Sequence, residues 1–188
     1  MNNGKSNGPG PDIQVVDAMA IAELLGKAES SERKRAHLLL HGGHHDPVQR
    51  MVIALELGTY VRPHRHSQQW EILALLRGGC DLLKFDAQGQ VTGRVAMSDK
   101  SPVVQIAIGT WHGLTIRDRR TMLLEVKPGP SRPNEFADWA PPEGDAAEAR
   151  QCAKGQAPAQ FLCSRSGNNS CAAHQRVARG ARAADRDI

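Results

Sequence analysis

Aromatic residues are scarce, with one Tyr, three Phe and three Trp among 188 residues. Proteins that grip single-stranded nucleic acid need stacking platforms set in a basic groove, and this chain has few. Its formal net charge of +4 is also misplaced for that role. Residues 145–188 hold seven Lys/Arg (Arg150, Lys154, Arg165, Arg176, Arg179, Arg182, Arg186) against four acids (Asp145, Glu148, Asp185, Asp187), which is +3 of the total. The rest of the chain is nearly neutral. No apolar run reaches the roughly 20 residues that span a bilayer. The opening "MNNGKSNGPGPD" has no apolar h-region, so no secretory signal is expected. Of four cysteines, only Cys80 lies in the body, while Cys152, Cys163 and Cys171 sit near the end without CxxC spacing. P-loop, dinucleotide fingerprint and Ser/His/Asp order are missing as well. The expectation is a cytoplasmic protein with reduced thiols and neither nucleic acid nor membrane as partner.

Along the chain, residues 1–12 read as a flexible leader rich in Gly, Pro and Asn. Residues 13–50 form a lead-in that contains one short helix. In "DAMAIAELLGKAES", Asp17 is placed to cap, and Met19, Ile21, Ala22, Leu24, Leu25 and Ala28 recur at helical spacings. From Met51 the texture changes to eight short runs separated by turn residues: "MVIALEL", "TYVRPHRH", "WEILALLR", "CDLLKFD", "QVTGRVAM", "VVQIAI", "WHGLTIR" and "TMLLEVK". Regular short strands of this kind make a sandwich or barrel, and the lack of βαβ alternation argues against an α/β nucleotide fold. The barrel and an irregular wrap occupy 51–144, with Phe136 and Trp139 expected to pin the wrap back onto the strands. Residues 145–188, rich in Ala, Arg, Gln, Ser and Gly, read as a disordered and dispensable tail.

Within the second and third runs, "GTYVRPHRHSQQWEILALLRG" places His64, His66 and Glu71 among apolar strand residues. Alternation along a strand sends His64 and His66 to one face, and Glu71 opens the next strand. Two imidazoles and a carboxylate converging between strands resemble the facial arrangement suited to a divalent transition metal. His112, in "IGTWHGLTI", shares a face with Leu114 and Ile116 and so looks into the core. It is either a hydrogen-bonded core histidine or a fourth ligand.

The spacing G-x5-H-x-H-x4-E-x6-G is the first motif of the cupin superfamily, matched here by Gly58, His64, His66, Glu71 and Gly78. By composition, such a match at a given start arises by chance about once in a million. In the second cupin motif Gly109 and His112 fit, while Ala107 stands for the proline and Ile116 for the asparagine. The chain therefore resembles cupins, which implies an all-β, double-stranded β-helix (jelly-roll barrel). It also implies one divalent transition metal (Fe, Mn, Ni, Cu or Zn) on His64, His66, Glu71 and His112. A closer resemblance, from about Arg33 to Glu143, is to WbuC-type cupin fold metalloproteins. It is carried by "DPVQRM", "YVRPHRH", "WE", "KFDAQG", "WHGL", "EVKPGP" and "FADWAPPEG", with Ser131 where that family has an aromatic. It implies a metabolite, sugar or sugar-derived, linked to surface-polysaccharide biosynthesis.

Further candidates surround this set. "HGGHHD" (His41, His44, His45, Asp46) reads as a solvated loop, a substrate-binding rim or a separate metal site. His44, His45, Arg50 and Arg62 are candidate binding residues for a small polar or anionic ligand, with Arg33 and Arg35 as further cations. Tyr60 and Glu125 are candidate catalytic groups, and Gln69 a supporting one. Three functions compete: a metal-dependent isomerase, lyase or dioxygenase; a non-catalytic metal- or ligand-binding module; and a scaffold with a structural metal. A homodimer is the expected assembly.

Overall fold

A computed structural model describes residues 13–143. The leader at 1–12, the tail from Asp145, and with it Cys152, Cys163 and Cys171, lie outside the described residues. The helix α1 (Ala18–Ser30) is followed by β1 (Arg35–Leu39), β2 (Val48–Leu55), β3 (His64–Arg65), β4 (Glu71–Arg77), β5 (Cys80–Phe85), β6 (Val91–Met97), β7 (Val103–Ile106), β8 (His112–Ile116), β9 (Thr121–Pro128) and β10 (Glu135–Phe136). They form two antiparallel five-stranded sheets, ordered β1-β2-β9-β4-β7 and β10-β3-β8-β5-β6. Sequence-distant strands thus become neighbours, the mark of a jelly roll.

Period-2 alternation explains the core. On β2, Ile53 and Leu55 face the barrel interior, where they join Leu73 and Leu123 of their own sheet and Leu82 and Ile116 of the other. The intervening Val52 and Ala54 face outward and are covered by Leu24, Leu25 and Ala28 of α1. The helix begins where sequence places its cap: the Asp17 carboxylate accepts a hydrogen bond from Ala20 N at 2.8 Å. No helix among the described residues is long and apolar enough to cross a membrane.

The eight runs read from sequence correspond to β2 to β9, and two strands are additional. β1 hides in the charged stretch "RAHLL", where Ala36 and Leu38 pack under α1 while Arg35 and His37 turn to the cavity side, Arg35 half-buried and His37 still exposed. β10 is two residues long and pairs with β3, Phe136 opposite His64. Of the two aromatics expected to pin the wrap, Trp139 does so, packing on Phe85 with ring centroids 5.1 Å apart on the outer face of the second sheet. Phe136 is 45% exposed and instead lies under the Arg62 guanidinium, 5.0 Å from its ring centre.

Candidate metal centre

Strand β3 is short because Pro63 precedes it, yet it pairs with β8 so that His64 lies directly opposite His112. That pairing brings together two residues 48 positions apart in sequence. His66 follows just after β3, where its carbonyl accepts from Gly109 N at 2.8 Å. Glu71 opens β4, which belongs to the other sheet. The cluster therefore bridges the two sheets rather than two neighbouring strands of one. Its four ligand atoms lie within 4.8 Å of one another, and all four residues are buried.

Hydrogen bonding determines which nitrogens face the centre. His64 Nδ1 lies 2.9 Å from Arg62 O and His112 Nδ1 2.9 Å from Thr110 O. A carbonyl only accepts, so both Nδ1 atoms carry a proton and each ring turns its Nε2 inward. Burial and the neighbouring His112 push the His64 pKa down to about 3, which keeps that ring neutral. Burial opposes charge on Glu71, but hydrogen bonding with His112 and His66 outweighs it and holds the carboxyl well below its usual range. Glu71 Oε2 stands 3.1 Å from His112 Nε2 and 3.2 Å from His66 Nε2. A proton or a metal ion between these nitrogens and the carboxylate oxygen turns the close approach into attraction, which bare lone pairs would not give. In addition, His66 Nδ1 is buried without a partner. Three imidazoles and one carboxylate, oriented this way, suit a divalent transition ion.

Beside the cluster lies a cavity of about 130 Å³, lined on one side by His64, Glu71 and His112. Its other polar walls are Arg35, His37, Glu125, Lys127 and Asn134. Lys127 Nζ holds Glu125 Oε1 at 2.8 Å, and both side chains are nearly buried. Burial first, and then the charge of Glu71, raise the Glu125 pKa to about 7. Arg35 donates to Tyr60 O at 2.7 Å and to Glu143 Oε1 at 2.5 Å.

The remaining sequence candidates are placed elsewhere. His44 and His45 are exposed, on a turn whose His44 carbonyl accepts from Ser131 N at 2.7 Å. Arg50, on the outward side of β2, faces Asp46 at 3.6 Å. Arg62 donates to Ala140 O at 3.1 Å and Ala137 O at 3.2 Å, tying down the wrap. The Tyr60 hydroxyl donates to Pro141 O at 3.1 Å, and its ring joins the Trp139 cluster. Gln69 donates to the carbonyls of Pro128 and Pro130. None of these six lines the cavity. His37, Lys127 and Asn134 do, and sequence reading passed over all three. Only Lys127 left a signal: it shares strand parity with Glu125, the inward group already singled out.

A family model described as "Domain of unknown function (DUF6016)" matches residues 16–97. No curated protein matches the chain in sequence. Solved structures do align. A protein of Bacillus halodurans is 18% identical, with 69% of this chain and 89% of that one covered and a TM-score of 0.48. A cupin 2 conserved barrel domain protein from Rhodopseudomonas palustris is 18% identical, covering 66% and 80%, with a TM-score of 0.47. KdgF from Halomonas sp. is 14% identical, covering 52% and 82%, with a TM-score of 0.43. The fold is that of a cupin. It rests on this chain's own strand order and on the placement of the cluster between its two sheets.

Proposed function

We propose that this cupin holds one divalent transition metal on His64, His66, Glu71 and His112 and acts on a small polar metabolite bound in the adjoining cavity. The observation that carries the reading is the orientation of the cluster. Two imidazoles are locked by backbone carbonyls with Nε2 inward, around a carboxylate already charged, beside an open polar cavity. A bound divalent ion would supply Lewis acidity toward a carbonyl or hydroxyl oxygen. That chemistry fits an isomerase, a lyase or, with iron, a dioxygenase.

The chain's own residues supply the rest. The carbonyls of Arg62 and Thr110, two residues ahead of the imidazoles they hold, fix the tautomers, and Ile53, Leu73 and Leu114 give the cavity apolar lining. Glu125, inside the cavity next to Glu71, is the carboxylate placed to move a proton, and Lys127 holds its Oε1. The resemblance to WbuC-type proteins supports a metabolite from the sugar-derived chemistry of surface polysaccharides. The test is metal analysis of full-length protein purified from its native host, beside a His66→Ala/His112→Ala double variant. Near-stoichiometric metal in the first and a loss of orders of magnitude in the second is expected. Full loading of the double variant overturns the assignment.

A further inference from the structure

The cavity has a size, a charge and a texture, and together they restrict what can occupy it. Its volume is about 130 Å³. A protein cavity of about 150 Å³ accommodates one benzene, so this one holds roughly five or six non-hydrogen atoms. A whole hexose or hexuronate, with about twelve or thirteen, exceeds that by simple count.

Charge narrows the class further. Among the lining side chains, Arg35 and Lys127 balance Glu71 and Glu125. A divalent ion on the histidine cluster, the reading on which this inference rests, then leaves the lining positive by two charges. The acid nearest Arg35 outside the lining is Glu143, and its second oxygen is taken by Arg33 at 2.6 Å. The surplus is thus not cancelled from behind. An anionic ligand neutralises it, and Lys127 has ammonium donors left beyond the one used on Glu125.

Texture excludes a polyol. Interleaved with the charged groups are Ile53, Leu55, Val61, Leu73 and Leu114, with Leu55 paired across strands to Arg35, Ile53 to His37 and Leu73 to Glu125. Hydroxyls pressed against those side chains would lose water and gain no partner. A short hydrocarbon skeleton with few oxygens fits this lining, and Asn134 offers an amide to one beyond the carboxylate.

We propose that the cavity selects a three-carbon carboxylic acid carrying one hydroxyl or carbonyl oxygen, with Lys127 and Arg35 as the residues that recognise its carboxylate. Within the sugar-derived metabolites considered above, this is the class of short sugar-acid fragments rather than intact sugars or sugar nucleotides.

Isothermal titration of the Mn2+-loaded full chain tests the proposal, with metal content measured on the same samples. Lactate and pyruvate are the small anions, lactamide the neutral analogue of matching size, and galacturonate the larger anion. Lactate or pyruvate is expected to bind at least tenfold more tightly than lactamide and galacturonate. Lys127→Met is expected to abolish that preference while retaining metal. Wild-type protein that takes up no metal overturns the metal-centre reading and this inference with it. A full complement of metal with equal binding of lactamide, tighter binding of galacturonate, or no binding by any of the four overturns this inference alone. The wild-type comparison holds even if the Lys127 variant fails to fold.

Discussion

Replacing His66 by Leu separates a histidine that holds metal from one that holds the barrel together, because the two roles predict opposite dependence on added metal. The two side chains are similar in volume, so packing changes little. Without metal, the substitution loses the 3.2 Å contact between His66 Nε2 and Glu71. A hydrogen bond to a charged group contributes about 1.5–3 kcal/mol. The same substitution removes His66 Nδ1, which is buried without a partner, and relieving such an atom returns about 1–3 kcal/mol. The two terms offset, so stability in EDTA should change by no more than about 1 kcal/mol. With metal at a hundredfold excess over Kd, wild-type protein gains about 2.7 kcal/mol and the variant gains almost none. For a domain of this size that difference is about 10 °C in Tm. Urea unfolding of both proteins, in EDTA and in saturating Mn2+, gives the four free energies by linear extrapolation. Equal destabilisation in the two buffers would show that His66 acts through packing and hydrogen bonding alone.

Three further outcomes can be checked directly. Gly58 and Gly78 both have positive φ, +87° and +74°, but a Cβ at Gly58 meets open space while one at Gly78 would lie 2.6 Å from Thr121 Oγ1 and 3.0 Å from its Cα. Gly58→Ala should therefore cost about 1 kcal/mol and Gly78→Ala about 3 kcal/mol or more, read as urea midpoints, and equal costs would refute the argument. Trp139→Ala removes a buried indole packed on Phe85 and should cost about 3–5 kcal/mol. Metal content should not change, because Trp139 lies on the outer face of its sheet, and a parallel loss of metal would refute that separation. Burial and the adjacent Asp81 push the Cys80 thiol pKa up to about 11, so iodoacetamide at pH 8 should label Cys80 only in urea. Peptide mapping distinguishes it from the other cysteines, and rapid labelling of the folded protein would contradict its burial.

Much of the candidate centre is legible in sequence because its elements are local. His64 and His66 are two residues apart, so strand alternation alone sends them the same way, and Glu71 follows within one turn. The strands β2 to β9 are legible for a related reason: their apolar residues alternate or run together between turn signals. β1 was not, since "RAHLL" carries two basic groups that point into the cavity, and a cavity-facing charge looks like a surface charge in sequence. The arginines and histidines that the sequence offers for ligand binding carry the same ambiguity. Arg62 spends its donors on the carbonyls of the wrap, whereas Arg35 reaches the cavity, and nothing local to either residue tells them apart.

Periodicity is legible residue by residue along the chain: short strands, a capped helix, and a histidine-glutamate spacing that matches one family of barrels. Tertiary structure alone decided the pairing of His64 with His112, the crossing of the cluster from one sheet to the other, and the company of Lys127, Glu125 and Arg35 around one small cavity. The reason is physical. Alternation depends on the backbone of one strand, while register between distant strands depends on which apolar faces can be buried together. On β4 and β9, Leu73 and Leu75 meet Glu125 and Leu123 only because burying the rest of both faces requires that register.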